Sequence, residues 1–258
     1  MAAAVRARQG AEPGGAQGSL LQRLGGGDQA VTAPRQARFL TLDSLRWVRR
    51  HRAWTWYHVV RYWRFWRFKR RHPDVVTEGF VFLGRGVVIE TKPPYGRVVL
   101  GRFVHLGDRT ALRAHNGTLR LGDKVVMGSD NTVNAHLDIE IGAATIVSDW
   151  TYICDFDHVT LDLAKPIKDQ GLVVSPVRIG PHSWIGVKAT VLRGTRTGRG
   201  VVLAAHTVAR GEYPDFAIVA GLPGRVVKSR RDDLEDWVEL QRYTAEVAGE
   251  QAEARRES

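Results

Sequence analysis

Small aliphatic residues return at every sixth position in the second half of this chain. The series runs through Ile179, Ile185, Val191, Thr197 and Leu203, and a glycine or alanine follows most of its members. A period of 3.6 residues would predict a helix and a period of 2 a simple strand, so neither common element explains the spacing. A sixfold period with a small residue beside it is typical of a β-solenoid, in which each hexapeptide forms one face of a triangular coil.

The same spacing occurs upstream in separate blocks. We expect each aliphatic residue to point into the coil and each adjacent glycine to relieve crowding at the turn. Three hexapeptides make one coil of 18 residues. The members are Leu83 and Ile89; Leu100, Leu106 and Leu112; Leu121, Met127 and Val133; and Ile141, Val147 and Ile153.

The interval between Ile141 and Ile179 is longer than one coil. It spans 38 residues, which leaves room for a coil and an excursion of 20 residues. We therefore expect a projecting loop at about 156–176. Long irregular loops in a rigid repeat are usually functional or disordered.

These patterns predict an all-β solenoid with a helical segment on either side. Residues 1–37 are rich in Gly, Ala, Gln and Arg and are expected to be a disordered tail. Residues 38–79 form a basic aromatic segment, 80–229 the solenoid, and 230–258 a C-terminal tail with an amphipathic helix over 231–247.

The positive charge of the chain is concentrated in the basic aromatic segment. Twelve Arg and Lys residues and a single acidic residue, Asp43, lie within 35–72, a surplus that equals the net charge of +11. Residues 43–71 are predicted to form one helix, with Asp43 or Ser44 as N-cap and Pro73 after its end. Its apolar residues, Val59, Trp63, Phe65 and Trp66 among them, share one broad face.

Two compatible interpretations of this helix stay open. It can cap the open N-terminal end of the solenoid, which otherwise exposes unpaired backbone. It can also lie on an anionic membrane surface, since aromatic and arginine residues are combined in it. Nucleic acid is not expected as a partner, because no recognition motif accompanies the basic residues.

Several features favour a cytoplasmic protein, with a peripheral position at the inner face of the membrane left open. No run of 18 apolar residues is present, and the first residues lack the apolar region of a secretory signal. Cys154 is the only cysteine, so no intrachain disulfide can form.

The stretch after Pro176 carries several features at fixed spacing. They are Trp-Ile-Gly at 184–186, a corner at Gly194, Ala-Ala-x-Thr-Val at 204–208, and Pro214 followed by Ala-Gly-x-Pro at 220–223. Together they resemble the hexapeptide-repeat acyltransferases, in particular the branch of the maltose and galactoside O-acetyltransferases and the xenobiotic acetyltransferases. The helix over 43–71 is not part of this resemblance.

The resemblance implies a left-handed parallel β-helix, an exception to the usual right-handed crossover. It also implies a homotrimer with active sites between subunits, and direct transfer from acetyl-CoA to a hydroxyl or amine acceptor. In this family a histidine at the end of a coil, beside the projecting loop, acts as the base.

His158 occupies the position that the resemblance assigns to that histidine. A sugar hydroxyl is a poor nucleophile at neutral pH, and a nearby imidazole can remove its proton, an effect worth about 10²–10⁴ in rate. Imidazole titrates near neutrality and can then return the proton to the CoA thiolate. Asp155 or Asp157 is expected to orient the ring. Val159 follows the histidine where the family usually has proline or a short polar stretch, so the acceptor stays open.

The resemblance also implies positions for the two substrates. Trp184 is expected beside the pantetheine arm or the acceptor, with an exposed subunit-interface residue as the alternative. Asn134 is expected to bind the acceptor, or to satisfy its own turn. The remaining donor-site residues are Gly186, Ala204 and Ala205 along the pantetheine, and Arg225 and Lys228 at the CoA phosphates.

The sequence therefore predicts an acetyl-CoA-dependent O-acetyltransferase that acts on a saccharide or polar small molecule. His105, His115, His136, His182 and His206 are scattered and lack the paired spacing of a zinc site, so no metal is expected. Two other classes remain as alternatives: a metal-dependent lyase of the γ-carbonic-anhydrase kind, and a non-catalytic solenoid scaffold that docks through the N-terminal helix.

Overall fold

The computed structural model describes residues 42–52 and 55–232. The predicted disordered tail over 1–37 lies outside these residues. The predicted C-terminal helix over 231–247 also lies outside them, apart from its first two residues.

Three sheets of parallel strands form the faces of a triangular coil, and each of the first six coils contributes one strand to each sheet. The first sheet contains β1 (Val76–Thr77), β4 (Gly96–Leu100), β7 (Gly117–Leu121), β10 (Asp138–Ile141), β15 (Val177–Ile179), β18 (Arg196–Thr197) and β21 (Glu212–Tyr213). The second contains β2 (Phe82–Leu83), β5 (His105–Leu106), β8 (Val126–Met127), β11 (Ile146–Val147), β16 (Trp184–Ile185), β19 (Val202–Leu203), β22 (Ala217–Ala220) and β23 (Arg225–Ser229). The third contains β3 (Val88–Thr91), β6 (Ala111–Ala114), β9 (Thr132–Ala135), β12 (Tyr152–Cys154), β17 (Thr190–Val191) and β20 (Val208–Ala209).

The remaining elements lie before, within and at the end of this repeat. Helices α1 (Leu42–Arg50) and α2 (Trp56–Arg71) precede the first coil. A hairpin of β13 (Phe156–His158) and β14 (Leu172–Val174), with a 3-10 turn at Ile167–Asp169, interrupts it after the fourth coil. The last strand, β23, runs antiparallel to β22.

The predicted hexapeptide positions pair in register from coil to coil. Leu100 pairs with Leu121, Leu121 with Ile141, and Ile141 with Ile179, and all four are buried. Each of these residues begins one of the predicted blocks, so the unequal intervals between blocks are whole coils with insertions at corners. The predicted β-solenoid is confirmed, and the architecture is that of the left-handed parallel β-helix.

The glycines that follow the aliphatic residues lie where the next coil passes closest. A Cβ added to Gly101 would lie 2.6 Å from the amide nitrogen of Asp123, and one added to Gly122 would lie 2.6 Å from that of Ala143. The predicted crowding is therefore present, and its source is the backbone of the neighbouring coil. The left-handed backbone conformation falls two residues later, at Phe103 and Lys124, both with φ of 58°.

Helix α2 covers the N-terminal end of the solenoid. Phe65 and Phe68 are buried, and the Phe65 ring lies 4.9 Å, centroid to centroid, from Phe80 of the first coil. Phe80 in turn contacts Phe82 at 4.8 Å. The helix therefore extends the apolar core past the first coil, which supports the interpretation as a cap.

The predicted single helix over 43–71 is divided in the structure. Helix α1 ends at Arg50, Arg52 has a positive φ of 48°, and the extended Thr55 is the N-cap of α2. These backbone conformations are not helical, so the i to i−4 hydrogen bonds cannot continue through them. The predicted position of Pro73 just after the helix is confirmed.

The predicted apolar face of this segment is also divided. Phe65 faces the core, whereas Trp56, Trp63 and Trp66 are exposed, the first by 79%. Val59 is exposed as well, and the four outward residues are spaced three and four residues apart. They form a second stripe on α2, because residues at this spacing lie on one side of a helix.

Candidate active site

The projecting loop predicted at 156–176 is an antiparallel hairpin. His158 pairs with Leu172, and Phe156 pairs with Val174 at the base. The hairpin begins directly after the fourth coil, because β12 ends at Cys154 and β13 begins at Phe156. His158 is the last residue of β13, and its side chain is exposed.

An aromatic column leads from the solenoid to His158. The rings of His115 and His136 stack at 4.7 Å, His136 contacts Phe156 at 4.4 Å, and Phe156 lies 6.3 Å from His158. The stack follows from the strand register. Ala114 pairs with Ala135, so the following residues, His115 and His136, lie side by side on neighbouring coils.

His115 and His136 are scattered in the sequence, and the structure brings them together. The available signal was their separation of 21 residues, the same interval as from Leu100 to Leu121. Burial lowers the pKa of His136 most, and the charge of His115 lowers it further. The charge of Asp155 opposes them, and Lys92 and His158 add smaller decreases. The neutral imidazole of His136 is therefore favoured.

Asp155 is fully buried, and its carboxylate binds the backbone of the preceding coil. It accepts hydrogen bonds from the amide N–H groups of His136, Leu137 and Asp138, at 2.7, 2.8 and 2.7 Å. The carboxylate thereby joins the corner that carries His136 to the start of the hairpin that carries His158.

Asp157 is bound by arginine side chains from the two following coils. Arg193 Nε lies 2.5 Å from its carboxylate, and Arg210 Nη2 lies at 3.9 Å. These interactions attach the base of the hairpin to the solenoid.

Within the described residues, the structure shows no hydrogen bond through which either carboxylate would orient the His158 imidazole. Three backbone amides occupy Asp155 and two guanidinium groups surround Asp157, and His158 is hydrogen-bonded to neither within the described residues. Both aspartates instead attach the backbone segment before His158 to neighbouring coils of the solenoid.

Asn134 lies on β9 and pairs with Cys154 on β12 of the following coil. Its Nδ2 donates to the Tyr152 hydroxyl at 3.3 Å, and its buried Oδ1 has no partner among the described residues. An amide oxygen of this kind can accept a hydrogen bond from a bound hydroxyl. Burial raises the pKa of the neighbouring Cys154 thiol, which keeps it neutral.

Trp184 lies on the outer face of the second sheet. It is half-exposed, pairs with Ile146 and Val202 on the neighbouring coils, and donates from Nε1 to Ser148 Oγ at 3.1 Å. The hydrogen bond fixes the indole while leaving much of its surface open to a ligand or a second subunit.

The small residues predicted along the pantetheine differ in accessibility. Gly186 is buried between coils, where an added Cβ would lie 2.6 Å from the amide nitrogen of Ala205. Its missing side chain therefore serves coil stacking. Ala204 is half-buried and Ala205 is exposed at the following corner.

Arg225 and Lys228 are both exposed on β23. This strand pairs with β22 at the C-terminal end of the second sheet, the sheet that also carries Trp184. Both cations are thus accessible to an anionic ligand.

Within the described residues, no group of three or more His, Cys, Asp and Glu side chains is placed to hold a metal ion. The helices in this part of the chain are all too short or too polar to cross a membrane.

Comparisons with known proteins identify relatives of the chain. It is 57% identical over 198 residues to the Mycobacterium tuberculosis protein named "Probable acetyltransferase Rv3034c", in an alignment that covers 77% of this chain and 66% of that relative. It is 32% identical over 130 residues to the Escherichia coli K12 protein named "Putative lipopolysaccharide biosynthesis O-acetyl transferase WbbJ". That alignment covers 45% of this chain and 66% of WbbJ. The chain thus spans just under two thirds of the length of each relative. A comparison with protein-family models found no match.

Among solved structures, the chain is similar to a mutant of AntD, an N-acyltransferase from Bacillus cereus in complex with dTDP and coenzyme A. The TM-score is 0.50 at 15% identity, and the superposition covers 70% of this chain and 96% of AntD. This likeness concerns the fold alone. In its β-solenoid fold and in its sequence relatives, the chain resembles the hexapeptide-repeat acyltransferases.

Proposed function

We propose that the protein is an acetyl-CoA-dependent O-acetyltransferase that acts on a hydroxyl of a saccharide or polar small molecule. The observation that carries the proposal is the hairpin, which presents the exposed His158 beside an aromatic column on the solenoid of an acyltransferase family. The relative WbbJ, named for lipopolysaccharide biosynthesis, supports a saccharide acceptor.

In the proposed reaction His158 removes the proton of the acceptor hydroxyl while its oxygen attacks the thioester carbonyl carbon. A C–O bond forms, the C–S bond breaks, and His158 passes the proton to the departing sulfur. General-base assistance of this kind is worth about 10²–10⁴ in rate. The transfer is direct, and the neutral, buried Cys154 takes no part in it.

Asp155 and Asp157 serve in this proposal as positioning residues. Their hydrogen bonds and ion pairs hold both ends of the short segment that precedes His158. The unpartnered Oδ1 of Asn134 is proposed to accept a hydrogen bond from the acceptor.

The donor is proposed to lie along the outer face that carries Trp184. A rigid, half-exposed indole suits contact with the pantetheine arm. Ala204 and the exposed Ala205 leave room beside it, and Gly186 lets the two coils approach so that this surface forms. Arg225 and Lys228 are proposed to bind the CoA phosphates, since guanidinium and ammonium groups pair with phosphate oxygens.

The working form is proposed to be a cytoplasmic homotrimer with its active sites between subunits. The basic segment over 43–71 is proposed to associate with an anionic membrane surface, which would place the trimer at the inner face of the membrane. Nucleic acid is not proposed as a partner.

Calorimetry with acetyl-CoA on the wild type and on His158→Ala tests the enzyme proposal without knowledge of the acceptor. Both proteins are expected to bind, since His158 acts on the acceptor. Thiol release with a panel of sugars should then be lost by about 10²-fold or more in His158→Ala. Lys168→Ala, an exposed substitution in the same hairpin, is the matched control and should keep full activity.

A folded wild-type protein that fails to bind acetyl-CoA would contradict the proposal. That result would favour the alternative of a solenoid scaffold that docks through α2. Full activity of His158→Ala would instead remove His158 from its role while leaving the enzyme class intact.

A further inference from the structure

A cleft separates α2 from the first corner of the solenoid. Three arginines of the helix, Arg64, Arg67 and Arg71, line one wall, and Arg85 lines the other. His72, just after the helix, also borders the cleft, and no carboxylate is among the lining residues. The cleft is therefore a concentration of positive charge between two rigid elements.

The rotation of α2 brings these arginines together. Phe65 and Phe68 are fixed in the core, and positions 64, 67 and 71 then fall on the adjacent side, since residues three and four apart are neighbours on a helix. Arg85 faces them from a corner whose backbone amide donates to Asp108 at 2.7 Å. The arrangement follows from packing, so it exists before any ligand binds.

Several arginines of the later coils pair with carboxylates. Arg102 pairs with Asp123, Arg109 with Asp130, and Arg193 with Asp157.

In contrast, none of the four cleft arginines pairs with a carboxylate of the described residues. Only Arg64 makes a side-chain hydrogen bond there, to the Leu83 carbonyl at 3.4 Å. Converging like charges repel one another, and a bound anion would relieve that repulsion.

The cleft also has apolar walls, which select among anions. Trp63, Phe68 and Val87 line it together with the arginines. Trp63 is half-exposed, lies 5.3 Å from the Arg67 guanidinium, and continues into the exposed stripe of Trp56 and Trp66. A ligand with a charged head and an apolar body would match both parts of this surface.

We propose that the arginine cleft binds the phosphomonoester headgroup of an anionic lipid, while the tryptophan stripe enters the lipid interface. A phosphomonoester carries about −1.5 to −2 charge and three peripheral oxygens, so several guanidinium groups can bind it at once. The inference rests on the proposed membrane association and deepens it from general charge attraction to a defined headgroup site.

Calorimetry on the full-length chain with monomeric dihexanoyl phosphatidic acid tests the site directly. Arg85→Gln and Arg67→Gln should each weaken binding by about tenfold, the effect of losing one charge-assisted hydrogen bond. Arg70→Gln is the matched control, since Arg70 is on the same helix but stacks on Trp66 and does not line the cleft. All variants should bind acetyl-CoA as the wild type does, which shows that they are folded.

Two further ligands identify the source of the phosphate. Dihexanoyl phosphatidylcholine has the same chains without net charge and should not bind. Inorganic phosphate should bind much more weakly than the phosphatidic acid probe. Equal affinity for inorganic phosphate would overturn the lipid assignment.

Co-sedimentation separates the site from the underlying membrane proposal. Vesicles with phosphatidic acid should retain the protein better than phosphatidylserine vesicles of equal charge, and Arg85→Gln should abolish that preference. Equal binding to both lipids, with Arg70→Gln and Arg85→Gln equally impaired, would refute the headgroup site and leave general association intact. No binding to either vesicle would refute both.

Discussion

Asp155 is the residue on which the geometry around His158 most depends. Its buried carboxylate accepts three backbone N–H groups from the corner at 136–138, and the hairpin begins at the next residue. A carboxylate offers only acceptors, and this corner presents only donors, so the two groups match. The neighbouring Asp157 performs a similar attachment through Arg193.

Asp155→Asn should lower the free energy of unfolding by about 2–3 kcal/mol. An asparagine replaces one acceptor oxygen by an NH2 group that would face backbone N–H donors, and a buried donor without a partner is costly. Urea unfolding measures the change. Asp169→Asn at the exposed end of the hairpin is the control and should stay within about 0.5 kcal/mol of the wild type. A loss no larger than that of the control would mean that the three hydrogen bonds contribute little.

At the scale of elements, the corners of the coils are determined by the separation of neighbouring backbones. Gly122 is an example, because a Cβ at this position would meet the backbone of Ala143 in the next coil. Its requirement for glycine comes from this close approach, since its backbone φ is not in the left-handed region.

Gly122→Ala should therefore destabilise the solenoid. The added Cβ would meet backbone atoms at 2.6 and 2.9 Å, so the two coils must separate, at a cost of about 1–3 kcal/mol or more. Gly171→Ala is the comparison, since no atom lies within 4 Å of its Cβ position and only its φ of 88° is unfavourable. Thermal unfolding should show the larger decrease in melting temperature for Gly122→Ala; the reverse order would contradict the argument from coil spacing.

Helix α2 has one side packed against the core of the solenoid and another that is exposed. Phe65 and Phe68 extend the core, while the tryptophan stripe and the arginine cleft face outward. Phe65 and Trp63 are both large apolar residues, so hydropathy alone does not show which of them is buried. Contact with Phe80 distinguishes them, and that contact exists only after the first coil has formed.

At the scale of the whole molecule, the hairpin carries several large apolar side chains that are exposed in the single chain. Leu161 is 88% exposed and Leu163 is 98% exposed, and Ile167 is also exposed nearby. Exposed apolar side chains that are grouped on one segment are a feature of interaction sites. The proposed homotrimer would cover them with a neighbouring subunit.

Light scattering after size-exclusion chromatography should therefore give three times the 28.8 kDa of one chain. The double substitution Leu161→Asp with Leu163→Asp should shift the population toward monomer, since burying unpaired carboxylates is unfavourable. Lys165→Ala in the same hairpin should leave the trimer unchanged. A monomeric wild-type protein would contradict the proposed assembly and the placement of active sites between subunits.

The sequence by itself determined the solenoid and the position of its projecting loop. The inward face of each strand admits compact aliphatic side chains, and the adjacent corner admits glycine. Residues such as Ile141, Gly142 and Val147 therefore show the sixfold period directly in the sequence. Only the tertiary structure decided how residues far apart in the chain meet. It stacked His136 on His115, directed Asp155 to the backbone of another coil, and turned the tryptophans of α2 outward. Such contacts depend on the number of residues inserted at each corner and on the rotation of a helix against its neighbour, which no local pattern of hydrophobic and polar residues specifies.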